Sequence, residues 1–227
     1  MFKCTTPEYE RLYAPWTDAP LTLPVLARWN RGEPLLDLCG GAGAVSRALL
    51  CGQPKGSLPN PYIVLFDLKP RACWWADAQE RLGRFREIRG DANRLDTYPG
   101  IRPESFGVVV CRQAMGYLEP EKVIPAVATV LTPGGRFVFN TFKKPSRVRF
   151  KTYLHDGVRY VEAHLYLWGR IVHLQARLSH QSGADLTVFR YWPREYLQGV
   201  LEANGFAVQV HEANRSLRWL CTKGEAR

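Results

Sequence analysis

Residues 35 to 49 read LLDLCGGAGAVSRAL, and the reading of the whole chain starts from them. Leu35, Leu36 and Leu38 form a short apolar run of the kind that makes a buried strand, and Asp37 and Cys39 close it. Gly40, Gly41 and Gly43 allow a sharp turn, and the residues from Ala44 to Leu50 favour a helix. Strand, glycine turn and helix in that order present exposed main-chain amides at the helix start, where a ligand can approach without meeting a Cβ. The same turn also reads as a plain helix cap, so the spacing of the later acids and glycines decides between the two.

Asp67 follows the apolar run Tyr62 to Phe66, about 24 residues beyond Gly43, which suits an acid at the end of a second strand that accepts from ribose hydroxyls. Gly90, Asp91 and Ala92 follow a third strand-like run, Phe85 to Arg89. Phe106 to Cys111 is a fourth, and Thr132, Pro133, Gly134 and Gly135 turn into a fifth, Arg136 to Thr141.

The ordered segments DLCGGAG, FDLKP, RGDA, FGVVVCRQAMGYL and LTPGGRFVFNTF resemble a class I S-adenosylmethionine-dependent methyltransferase, closely over residues 30 to 142 and more loosely over 193 to 222. The resemblance implies an α/β fold, a Rossmann-like three-layer sandwich on a mostly parallel seven-stranded sheet. It also implies S-adenosyl-L-methionine as cofactor. Asp37, Gly41 and Gly43 match the motif that cradles the methionine part, Asp67 the acid for both ribose hydroxyls, and Leu68 the residue flanking adenine. Asp91 and the Ala92 amide match the adenine contacts, and Cys111 the end of strand four that faces the cofactor. Two positions depart from the pattern: Cys39 stands where the first glycine is usual, and Gly107 where strand four often starts with an acid.

A dinucleotide-binding reading is weaker, because the third glycine of G-x-G-x-x-G would fall at Ser46. Asp37, just before the turn, would also repel a pyrophosphate, whereas it suits a ligand carrying an ammonium group. Asn60-Pro61-Tyr62 resembles the catalytic box of DNA amino-methyltransferases, but it precedes strand two; after strand four the chain reads Cys111-Arg112-Gln113-Ala114. No Pro-Cys dipeptide occurs, which removes the usual nucleophile of cytosine C5 methylation.

At 227 residues and 46% hydrophobic content, the chain is expected to be one domain, residues 1 to 227, with a substantial core. It lacks an apolar run long enough to span a membrane, and MFKCTTPEYE has no secretory h-region. Its six cysteines show no CxxC spacing, which fits reduced thiols in the cytoplasm.

An N-terminal helix with Tyr9 and Tyr13 is expected either to fold over the cofactor or to pack on the sheet edge, with Tyr13 a candidate substrate contact. Residues 51 to 61 read as a loop, and Arg71 to Leu82 as a helix carrying Trp74 and Trp75. Gln113 to Leu118 should line the opening beyond strand four, with Met115 and Tyr117 placed to touch a substrate.

Residues 143 to 192 read as an antiparallel β insertion after strand five, a lid or substrate-binding element. With Trp168-Gly169 as a two-residue turn, Leu165 faces Val172 and Ala163 faces Leu174 on one side. The other side pairs His164 with His173, Glu162 with Gln175, and Tyr160 with Arg177. That polar side is either a solvated face or a substrate surface, with Tyr160 and Arg177 as contacts and His164 and His173 as bases, His155 behind them. A hydrogen-bonding surface accounts for His164, His173 and Glu162, and no metal is expected.

Formal charge is +10, and residues 143 to 192 hold nine Lys or Arg against three acids. Such a balance fits an anionic or nucleic-acid partner as well as a soluble outer face. No appended nucleic-acid module is visible, so a small-molecule acceptor is expected, with direct in-line methyl transfer. The alternatives are an RNA methyltransferase and a non-catalytic module that binds the cofactor for regulation. Nothing in the sequence fixes the oligomeric state.

Overall fold

The computed structural model describes residues 33–41, 43–51, 62–70, 85–144, 148–155, 158–178, 183–212 and 216–224. Tyr9, Tyr13, the loop expected before strand two and the helix expected to carry Trp74 and Trp75 lie outside them. The described chain runs β1 (Leu35–Leu38), α1 (Ala44–Cys51), β2 (Ile63–Asp67), β3 (Phe85–Arg89) and β4 (Phe106–Cys111). It continues through α2 (Pro120–Val130), β5 (Leu131–Phe142), β6 (Arg149–His155), β7 (Val158–Leu167), β8 (Arg170–Leu178) and β9 (Gly183–Arg190). It ends with α3 (Arg194–Ala203), β10 (Phe206–Glu212) and β11 (Ser216–Lys223).

Seven strands form one sheet in the order β10-β11-β5-β4-β1-β2-β3. The five from β3 to β5 are parallel, and β11 runs antiparallel to both of its neighbours. The expected α/β sheet is therefore present, closed by the expected terminal strand pair.

Alternation along the strands explains the layers. Leu36, Leu38, Val64, Phe66, Val109 and Phe137 point to the face covered by α2 and α3, while Leu35, Ile63, Leu65, Val108 and Val110 pack with Val45 and Leu49 of α1 on the other. A central strand with both faces covered is apolar apart from functional positions, which is why β1 carries Leu35, Leu36 and Leu38 around the single acid Asp37. Each such leucine, removed completely from water, contributes about 1.5–3 kcal/mol. The edge strand β3 buries Phe85 and otherwise carries exposed charge at Arg86, Glu87 and Arg89, a composition that discourages further pairing.

The Thr132-Gly135 turn lies inside β5 as an irregularity: Phe106 pairs with Leu131, and the next partners are Val108 and Arg136. The insertion forms a second, four-stranded antiparallel sheet in the order β6-β7-β8-β9. Its register matches the sequence pattern, with His164 opposite His173, Glu162 opposite Gln175 and Tyr160 opposite Arg177. Trp168 and Gly169 both have positive φ, 45° and 75°, as a two-residue hairpin turn requires.

Candidate functional site

Four neighbouring strands end together at the same edge of the main sheet. Cys39 follows β1, Asp67 closes β2, Asp91 follows β3 by two residues, and Cys111 closes β4. In open α/β sheets ligands bind beyond these carboxyl ends, beside the strand where the order reverses, here β1 and β4.

The glycine turn is held by acids. Gly41 and Gly43 adopt φ of 57° and 78°, and the Gly43 N–H donates to the Gly40 carbonyl at 2.8 Å. The Gly41 N–H donates to Oδ2 of Asp67 at 2.9 Å, while the Lys69 N–H donates to Oδ1 at 2.8 Å. Each carboxylate oxygen retains further acceptor capacity, to which two vicinal hydroxyls could donate. Leu68 beside it is 62% exposed and offers a flat apolar surface at the same edge.

Asp37 is buried, and Ser46 donates to its Oδ2 twice, from Oγ at 2.5 Å and from N–H at 3.2 Å. Among the described residues, Oδ1 has no hydrogen-bond partner. Burial holds the carboxyl above its ordinary 3.8, against the Ser46 hydrogen bonds and the Arg112 charge that favour the ionised form. An orphaned acceptor beneath a glycine turn fits a ligand that brings a cation to this end of the site.

Asp91 accepts from the Asn93 N–H at 3.0 Å and caps the short helix Ala92–Thr97; Ala92 is buried beneath it. The Cys39 and Cys111 thiols meet across β1 and β4. Their mutual hydrogen bond and burial push the Cys39 thiol well above its ordinary range, so Cys39 stays a neutral thiol.

Both departures from the motif have local reasons. Cys39 sits at φ 57°, the left-handed region where glycine is usual, so the backbone is kept and the side chain packs on the core. At Gly107 a Cβ would overlap the side chain of Glu33, so no acid fits there.

Beyond β4 the chain turns sharply at Gln113, φ 55°, whose N–H donates to Oδ1 of buried Asn140 at 2.8 Å. Asn140 and Thr141 interrupt the apolar run of β5; sequence reading passed over them, although two polar residues inside FVFNTF were the available signal. Met115 is fully buried in the main core, and its carbonyl accepts from Trp192 Nε1 at 3.0 Å. It is a core residue, whereas Tyr117 is 44% exposed at the opening.

The insertion is fastened here. Phe189 of β9 packs on Phe142 at 4.7 Å and edge-on to Tyr117 at 6.0 Å between ring centres. Gln113, Asn140, Thr141, Ile171, Phe189 and Trp192 line a narrow cleft between the two sheets. Ile171 and Phe189 belong to the polar side of the insertion, so that side faces inward rather than solvent. Tyr160 and Glu162, on the same side, are buried. His164, His173 and Arg177 occupy register positions on it, and their side chains lie outside what the structure describes.

A family model described as a methyltransferase domain matches residues 10–211. A ubiquinone biosynthesis O-methyltransferase of Neisseria meningitidis is 24% identical over 165 residues, 69% of this chain and 65% of that protein, so the chain spans just under two thirds of that relative. The solved structure of the CcbJ methyltransferase from Streptomyces caelestis superposes with a TM-score of 0.71 at 17% identity, covering 92% of this chain and 90% of that one. The structure of S-adenosylmethionine-bound CalS10, an amino pentose methyltransferase of Micromonospora echinaspora, gives 0.70 at 19% identity, covering 97% and 99%.

Proposed function

The chain belongs to the methyltransferase-domain family, and on that premise we propose that it transfers a methyl group from S-adenosylmethionine to a small molecule. The observation that carries this reading is the alignment of Asp37, Asp67 and Asp91 at the ends of three neighbouring strands, around a turn of positive-φ glycines. Asp67 would hold the ribose, Leu68 and Ala92 would flank the adenine with Asp91 at its amino group, and Asp37 with Gly41 and Gly43 would hold the methionine end over Cys111. When bound, S-adenosylmethionine supplies a methyl group made electrophilic by its sulfonium.

The protein's own tasks are then alignment and exclusion of water. The cleft between Gln113, Asn140 and the insertion is the acceptor site in this reading, with Tyr117, Tyr160 and Arg177 as contacts. If the acceptor carries a proton to be lost, His164 or His173 takes it. The acceptor is read as small because similar proteins are named as amino pentose and ubiquinone-biosynthesis methyltransferases. A cytoplasmic location is supported by the free thiols Cys111 and Cys221, both buried. No helix among the described residues is long and apolar enough to cross a membrane.

Two measurements test the reading. Calorimetric titration with S-adenosylmethionine and S-adenosylhomocysteine should show binding that Asp67→Ala weakens by about 1–3 kcal/mol, the loss expected for a charged acceptor. Radiolabelled methyl should then pass to a small-molecule extract. Label appearing only in RNA would move the acceptor class, and binding without any transfer would make the domain a regulatory module.

A further inference from the structure

The insertion sheet turns its polar side inward, and so it leaves its apolar side outside. Rows across the four strands show how continuous that side is. Phe150, Ala163, Leu174 and Leu186 form one row, Thr152, Val161, Ala176 and Ala184 the next, and Leu165, Val172 and Val188 a third. Phe150 is 74% exposed, Leu154 70%, and Leu167 and Leu174 about 40%. Arg159 lies in the row at one end, and Arg170 and Arg190 in the row at the other. No Asp or Glu among the described residues occupies a register position on this side.

We propose that a second copy of this chain covers it, sheet against sheet about a twofold axis. Apolar sheet faces pack face to face roughly 10 Å apart, and a side that is apolar in its middle rows except at the edge-strand Thr152 is complementary to itself. Four strands about 4.8 Å apart and about eight residues long span on the order of 500 Å² of plane. Two copies together then bury about 1,000 Å², the size at which specific association begins. The arginines stand at the ends, where they reach solvent as a polar rim around the apolar centre. An anionic lipid surface or a nucleic acid would call for basic residues across the middle of the face, where there are none. Because β9 also carries Phe189, the same association would brace the wall of the acceptor cleft.

Sedimentation velocity of the wild type and of the double variant Phe150→Glu, Leu174→Glu tests this. Both positions are exposed in a single copy, so the variant should keep its circular dichroism, read beside the sedimentation, and any fall in melting temperature should be no more than the lost association accounts for. The wild type should sediment at twice 25.9 kDa at micromolar concentration. The variant's dimer dissociation constant should rise by about a hundredfold or more. The wild-type dimer should persist or tighten as salt increases, since the association is apolar between like-charged copies. A monomeric wild type, or a variant that dimerises unchanged, overturns the proposal. Binding to anionic phosphatidylserine vesicles that salt abolishes, by a wild type monomeric in buffer, assigns the face to lipid instead.

Discussion

The Ser46 hydroxyl donates to Oδ2 of Asp37 at 2.5 Å, while Oδ1 of the same buried carboxylate has no partner among the described residues. Such a half-satisfied acid destabilises the ligand-free protein in its ionised form. Burial raises the folded-state pKa, so between 3.8 and that raised value the folded state binds more protons than the unfolded one. Stability from this group is therefore lost as pH rises through that window, and the loss is complete above it. Asp37→Asn should be at least as stable as the wild type at neutral pH, with the difference shrinking toward and below 3.8 in urea titrations. Its affinity for S-adenosylmethionine should fall by about tenfold to a hundredfold. A variant that is less stable at neutral pH would show that the carboxylate is satisfied in a way the geometry does not reveal.

The N–H of Gln113 donates to Asn140, and this bond holds the left-handed turn at the mouth of the cleft. Removing the acceptor in Asn140→Ala leaves a partly buried donor unmet and should cost about 1–3 kcal/mol in chemical denaturation. Gln113→Gly at the same turn releases the left-handed strain and should be neutral or stabilising by up to about 1 kcal/mol. Asn140→Ala should lower turnover more than cofactor affinity, because the residue positions the acceptor wall; Asn140→Asp, which keeps an acceptor oxygen, should recover part of it.

Much of this was legible in the sequence for a simple reason. The glycine turn, the acids at strand ends and the period of two in the insertion are all local, so Asp37, Asp67, Asp91 and the His164–His173 register could be read directly. What could not be read was orientation. Alternation along β7 and β8 separates a polar from an apolar side but does not say which faces the core, and the structure turns the polar side inward. Met115 escapes a linear reading for a related reason: the short 3-10 turn Met115–Tyr117 rotates its side chains by about 120° per residue, so Met115 enters the core while Tyr117 stands at the opening. Ser46 counted only as a missing glycine, although its hydroxyl is what holds Asp37.

Gly116 packs against β9 of the insertion. A Cβ added there would lie 2.9 Å from Phe189 Cβ and 3.1 Å from the Arg190 carbonyl, both fixed to β9. Gly116→Val should therefore push β9 away, with a stability loss of about 1–3 kcal/mol from overpacking. Acceptor KM should rise while S-adenosylmethionine affinity stays within about twofold, since the glycine turn lies on other strand ends. Equal loss of both would mean that the two halves of the cleft do not act separately.

His164 and His173 are register partners on the inward side of the insertion, the side that also carries buried Tyr160 and Glu162. Their strand positions, on the side of the insertion that also carries Ile171 and Phe189, suit a base that acts on an acceptor enclosed in the cleft. Replacing both by glutamine keeps a polar side chain of similar length but removes the basic nitrogen. Turnover should then fall by about 10²–10⁴-fold, the usual contribution of a positioned base, with cofactor affinity unchanged. The acidic limb of the pH–rate profile should vanish with it, because that limb reports the protonation of the base. Single variants should distinguish the partners: one histidine accounts for most of the loss if it alone meets the acceptor, while similar partial losses mean that the pair shares the proton. Full turnover in the double variant would remove both from the mechanism and leave alignment alone to account for the rate.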